Sequence, residues 1–199
     1  MKKLKRISVM GATLLGLGGC AAVGVFPTDD PQQKLRDAQA MIEQNRPIPA
    51  ERFIVEAIDI CQQRADRNCL ADGYRMYGIF FLWAGPAWAH YADNGGFRDK
   101  TATYAQRYSK SAEYFIQSRD LLAQGDRYDE LTNVNLNLGF AFSAANQLPE
   151  ACNAFDASLL AYRENIRRHP GVKVILSDQH ATYDSYILSK KTNAGCPAG

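Results

Sequence analysis

Histidine is scarce in this 199-residue chain. His90, His169 and His180 show no His-x-x-x-His or His-Glu spacing that could grip a metal or relay a proton. There is no glycine-rich phosphate loop, no G-x-S-x-G nucleophile elbow and no pair of carboxylates in a distinctive local frame. No residue is therefore assigned to catalysis or to a metal, and a non-enzymatic role without a bound cofactor is expected. Sustained period-two alternation is missing, so no strand is expected. A strong net charge is missing too. The formal charge is +2, and residues 1 to 19 hold four Lys/Arg and no acid, which leaves −2 for everything after them. A slightly acidic domain is a poor partner for nucleic acid.

The four early cations, Lys2, Lys3, Lys5 and Arg6, precede an apolar stretch from Ile7 to Leu17 and a small-residue exit, Leu17-Gly18-Gly19-Cys20. A positive head, a short apolar core and a small-residue end make a secretory signal, expected to be cleaved. About eleven apolar residues fall short of the roughly 20 that a permanent membrane helix needs. Leu17-Gly18-Gly19-Cys20 resembles the lipobox of bacterial lipoproteins. That resemblance implies cleavage before Cys20 and covalent attachment of diacylglycerol and an N-acyl chain to it. With Ala21 rather than Asp next in line, it also implies sorting to the outer membrane, with the domain facing the periplasm. Several acyl chains matter because each buried methylene adds about 0.8 kcal/mol, and one chain alone holds only reversibly. The expected divisions are signal peptide 1–19, lipidated Cys and linker 20–29, helical domain 30–192 and tail 193–199.

Four cysteines follow, Cys61, Cys69, Cys152 and Cys196, in a compartment expected to be oxidising. Two disulfides are expected, with three connectivities open. Within one helix Cys61 and Cys69 would stand about 12 Å apart, so a bridge between them requires a turn. A Cys152–Cys196 bridge would pin the tail to the body.

Helical patterns fill the rest. Asp30-Pro31-Gln32-Gln33 is a helix start, followed by the stripe Leu35, Ala38, Met41, Ile42. Pro47 and Pro49 open a second helix with Phe53, Ile54, Ala57, Ile58 and Cys61 on one face. Arg64 to Asn68 is a polar turn, and Leu70 to Trp83 is apolar until Gly85-Pro86, with a second break at Asn94-Gly95-Gly96. Further helices are expected from Thr101 to Ala123, Leu131 to Ala145, Pro149 to Ile166, and about Val174 to Lys190. The fold class is all-α.

Leu138-Gly139-x-x-Phe142 followed by Ala151-x-x-x-Phe155-x-x-Ser158 resembles the tetratricopeptide repeat pattern of about 34 residues, with Asn135 where that pattern has an aromatic. Weaker echoes are Ala38 with Ala50-x-x-x-Ile54-x-x-Ala57, and Ala112-x-x-x-Ile116. The resemblance implies a tetratricopeptide-like stack of about three antiparallel helix hairpins plus a C-terminal capping helix, the middle hairpin carrying an insertion over roughly Trp83 to Lys100. It further implies a concave groove for a peptide or protein segment, with Asn133, Phe140 and Ser143 turned inward. The aromatic-rich stretch around the insertion reads mainly as core. It is dense enough that Trp83, Trp88 and Phe97 are candidates for a partner-binding surface. The expected partners are an envelope protein or peptide segment and, through the anchor, the outer membrane. The basic helix end Arg163, Arg167, Arg168, His169 complements a helix dipole, with an anion site as the alternative. Replacing Cys20 by Ser is expected to abolish incorporation of labelled fatty acid and release the protein from the membrane pellet.

Overall fold

The computed structural model describes residues 28–171 and 182–197, and these contain eight helices and no strand. They are α1 (Pro31–Glu43), α2 (Pro47–Gln63), α3 (Arg67–Leu82), α4 (Ala87–Asn94), α5 (Arg107–Leu122), α6 (Tyr128–Ala144), α7 (Leu148–Arg168) and α8 (Tyr183–Ala194). Three hairpins, α1/α2, α3/α5 and α6/α7, stack in chain order, and α8 packs on α7. The first helices of the hairpins also touch, α1 against α3 and α3 against α6. The expected all-helical stack is what forms, with α4 inside the insertion of the middle hairpin. The expected helix from about Val174 falls partly on residues 172–181, outside the described residues. Its described part, α8, runs past Lys190 to Ala194 and so extends into the expected tail.

Local chemistry sets the helix ends. Asp30 accepts from Gln32 N (2.9 Å) at the start of α1, and Asp66 accepts from Cys69 N (3.0 Å) at the start of α3. The turns after α1, α2 and α6 share one construction. A middle residue, Asn45, Ala65 or Asn146, takes φ of 50–59°, and its own backbone N–H and that of the following residue close onto the preceding turn. Asn tolerates this left-handed geometry, but Ala65 gives no such sign in the sequence. Helix α5 begins at Arg107, not at Thr101 as expected. Thr101 donates to Asp99 through both its backbone N (2.9 Å) and hydroxyl (2.6 Å), and Tyr104 reaches Ala84 O, so the segment is spent returning the insertion to the stack.

Each hairpin is built around one close approach. A Cβ added at Gly139 would come within 3.0 Å of three Phe155 ring atoms, and one at Gly78 would stand 2.8–2.9 Å from the ring of Phe115. A large side chain of the second helix thus lies flat on the bare backbone of the first. In α1/α2 the equivalent residues are Ala38 and Ile54, both fully buried. This alignment corrects the register of the middle hairpin. Its signature is Ser111-x-x-x-Phe115-x-x-Ser118, one residue before Ala112-x-x-x-Ile116. Ala112 instead joins the cluster with Leu131 and Val134 that joins the middle hairpin to the third. Buried hydroxyls confirm the equivalence: Ser118 donates to Ala71 O (2.8 Å), and Ser158 donates to Thr132 O (2.7 Å), seven residues before Gly78 and Gly139 respectively.

Both disulfides form, Cys61–Cys69 across the α2–α3 turn and Cys152–Cys196 between α7 and the end of α8, with Cα separations of 5.5 and 5.7 Å. In the chain-entropy model the first, closing a short loop, adds about 2.5 kcal/mol and the second, closing a long one, about 4 kcal/mol.

Gly139→Ala is expected to lower unfolding free energy in urea by about 2 kcal/mol, because the Phe155 ring must move. Adding Phe155→Leu to that variant should cost less than the two single changes summed.

Candidate functional site: a groove on the first-helix face

Because α3 lies between α1 and α6, the first helices of the three hairpins make a continuous face. On it a groove of about 510 Å³ is lined by Gln39, Ile42 and Glu43 of α1, Ile79 of α3, Trp83 at the end of α3, and Asn137 of α6. The floor is apolar and the walls offer amide and carboxylate groups. Gln39 already donates to Glu43 (2.8 Å), which orients both. Trp83 closes one end and is 70% exposed, the largest exposure among the big apolar side chains described. One turn before Ile79, Arg75 keeps a buried Nε with no hydrogen-bond partner among the described residues. An apolar floor with side-chain donors and acceptors at its edge suits an extended polypeptide, whose backbone carries both.

The expected site residues divide. Trp83 is in the groove. Asn133 is exposed on α6, but Asn137, one turn later, lines the groove. Phe140 packs edge-on against Phe155 (ring centroids 5.6 Å apart), and Ser143 is half-buried without lining the groove. Trp88 and Phe97 are each 1% exposed, which corrects their reading as partner-binding surface. Trp88 packs on Phe80 and hydrogen-bonds Asn45 through its indole N–H, while Phe97 is wedged among Phe80, Phe81 and Tyr91. The insertion folds its aromatics inward. Cys20 lies outside the described residues. The basic end of α7 is paired, Arg163 with Asp184, Arg167 with Glu164, and Arg168 with Glu164 and Asp126, so it offers no free anion site.

Sequence reading missed Glu51. It is fully buried in α2, and three donors converge on its carboxylate: Tyr77 hydroxyl (2.5 Å), Tyr91 hydroxyl and Arg98 backbone N (2.7 Å). Next to it Asp99 accepts from Tyr114 (3.0 Å) and lies 3.3 Å from the Lys110 ammonium. Burial alone would raise Asp99, but hydrogen bonds from Thr101 and Tyr114 and the Lys110 charge outweigh it and hold the carboxyl below its ordinary value. Burial, reinforced by the Glu51 charge, pushes the Tyr77 phenol far above its ordinary range. Tyr91 is raised by burial and its bond to Glu51, and Tyr114 by burial and the Asp99 charge. All three donors to Glu51 come from α3 or the insertion, so this cluster fastens the insertion to the first hairpin. A carboxylate whose donors are all supplied by the chain has a fixing role, and its only sequence signal is an acid inside an otherwise apolar helical face.

Among the described residues no group of three or more His, Cys, Asp or Glu side chains is placed to hold a metal ion, and no helix is long and apolar enough to cross a membrane. No protein-family model, curated protein or solved structure matches the chain.

Glu51→Gln is expected to cost about 2 kcal/mol and to shift Trp88 fluorescence to the red as the insertion loosens. Tyrosine in the unfolded chain ionises near 10.0, whereas Tyr77, Tyr91 and Tyr114 are raised in the folded protein. Their contribution to stability is therefore complete below pH 10 and is lost as the pH rises above it. An alkaline titration should show these phenols ionising only together with loss of helical circular dichroism.

Proposed function

We propose that this chain is a lipoprotein of the outer membrane, anchored through acyl chains on Cys20, whose tetratricopeptide-like domain faces the periplasm. It acts as a protein-binding adaptor or assembly factor of an envelope machine such as a pilus, secretion or outer-membrane assembly system. The partner is a protein or peptide segment held along the first-helix groove. The observation that carries this reading is Trp83, a large aromatic left exposed beside Ile42 and Ile79 and flanked by the side-chain amides of Gln39 and Asn137. An exposed indole at the edge of a formed groove has the character of an interface anchor. Three stacked hairpins also give the length over which such a face can engage an extended chain.

A second reading, in which the aromatic insertion around Trp83 to Phe97 binds cell-wall fragments or another small ligand, would rest on Trp83, since Trp88 and Phe97 are core. An immunity role against a periplasmic toxin would use the same groove and differs in its partner.

The test is crosslinking of the tagged, lipidated protein in intact cells, followed by detergent solubilisation, capture and mass spectrometry. One abundant envelope protein is expected. Trp83→Ala should weaken its capture by about 30-fold, the effect of a hot-spot truncation. Because Trp83 is exposed, the same change should alter unfolding free energy by no more than about 0.5 kcal/mol. Capture unaffected by Trp83→Ala would rule out the groove, and a protein found in the soluble fraction would rule out the anchor.

A further inference from the structure

On the side of α3 and α6 turned away from the groove, the stack repeats a second feature. Second helices of successive hairpins flank a cleft floored by the first helix of the later hairpin. Between α2 and α5 this cleft, about 420 Å³, is bounded by Ile58, Tyr74, Tyr77, Asp99 and Tyr114 among others. Between α5 and α7 it is about 500 Å³, with Arg119, Leu131, Asn135, Leu138, Phe142 and Ala154 among its walls.

Aligning the hairpins on Gly78 with Gly139 and on Phe115 with Phe155 makes the two clefts comparable residue by residue. Tyr74 corresponds to Asn135, Tyr77 to Leu138, Phe81 to Phe142 and Tyr114 to Ala154. In the first cleft the Tyr114 ring is stacked on Tyr77 (centroids 4.3 Å, planes 27° apart) and on Phe81 (5.8 Å, 5°), and its hydroxyl donates to Asp99. In the second cleft that ring is replaced by the methyl group of Ala154, and the floor remains apolar. Asn135 reaches into this space. It is only 6% exposed, and its carboxamide has no hydrogen bond among the described residues. At the wall of an apolar, half-open cleft this amide is left to water or to a ligand for its bonding.

We propose that the α5–α7 cleft is a binding site for a phenol ring. The ring lies against Leu138 and Phe142, where Tyr114 lies one repeat earlier, and its hydroxyl exchanges hydrogen bonds with the Asn135 carboxamide. A phenol fits on both counts: it supplies the missing aromatic, and a hydroxyl can donate to the amide oxygen or accept from its nitrogen. The charged side chains of the lining are Arg119 and Glu150, and Arg119 is already paired with Asp120, so the walls do not call for a charged ligand. The phenol can be carried by a small aromatic molecule or by a tyrosine of a polypeptide. The site shares no lining residue with the first-helix groove, so it stands whether or not that groove binds a partner.

The test uses the full chain in lipid nanodiscs, with N-acetyl-tyrosinamide and N-acetyl-phenylalaninamide as probes in saturation-transfer NMR. The tyrosine probe is expected to bind about tenfold more tightly, reflecting the bonds to Asn135. Ala154→Tyr, which fills the cleft as the preceding repeat does, should abolish the signal, and Asn135→Leu should erase the difference between the probes. No saturation transfer to either probe at millimolar concentration, or transfer that survives Ala154→Tyr, overturns the proposal. Should Ala154→Tyr fail to fold by circular dichroism, Asn135→Leu decides, and discrimination that persists in it overturns the site. Comparing p-cresol with a short peptide bearing one central tyrosine identifies the source. Tighter binding of the peptide assigns a polypeptide tyrosine, and equal binding assigns a small aromatic.

Discussion

A large side chain laid on a residue with little or no side chain of its own is the contact on which the rest of this molecule depends. Phe155 on Gly139, Phe115 on Gly78 and Ile54 opposite Ala38 bring the two helices of each hairpin to close range. That distance lets Ser118 and Ser158 reach carbonyls of the facing helix, and it fixes which side of each first helix is left for the neighbouring hairpin. The groove and the two clefts follow, because they lie between hairpins whose internal geometry is already settled. Small residues at helix crossings act here through space, with the flat face of the ring filling what a Cβ would otherwise occupy.

The insertion between α3 and α5 shows how a repeat stack tolerates extra chain. Its aromatic residues, Trp88 and Phe97, extend the core of the first hairpin, and its backbone and hydroxyl donors are gathered by Glu51, an acid set deep in α2. Burying a carboxylate is unfavourable unless donors meet it, and here each donor is on α3 or the insertion. The arrangement couples the insertion to the stack: loosening it would leave a buried charge without partners. Aromatic density in that stretch therefore serves cohesion, and Trp83, just before the Gly85-Pro86 break, is the one member of it that faces outward.

Two faces of the stack thus differ in character. The first-helix groove combines an exposed indole with side-chain amides, and the α5–α7 cleft has aliphatic and aromatic walls around the Asn135 carboxamide. Both arise where the repeats depart from one another, Trp83 against Glu43 on one face, Ala154 against Tyr114 on the other. In a repeat scaffold the shared residues build the fold, and the departures give each face its own chemistry.

Most helices, the insertion and the presence of two disulfides were legible in the sequence, because capping residues, prolines, 3.6-residue stripes and cysteine number are local or compositional signals; the choice among three connectivities, the short helix α4 and the start of α5 were not. The best hairpin, Leu138 to Ser158, could be read for the same reason. The middle hairpin was read one residue out of register, since Ala112 and Ser111 are both small and only contact with Gly78 distinguishes Ser111 and Phe115 from their neighbours. The burial of Trp88 and Phe97, the role of Glu51, the use of Asn137 in place of Asn133, and the cleft left by Ala154 were decided by tertiary structure alone. Each depends on side chains brought together from helices far apart in sequence, and neither periodicity nor composition carries information about which of several apolar faces meets which.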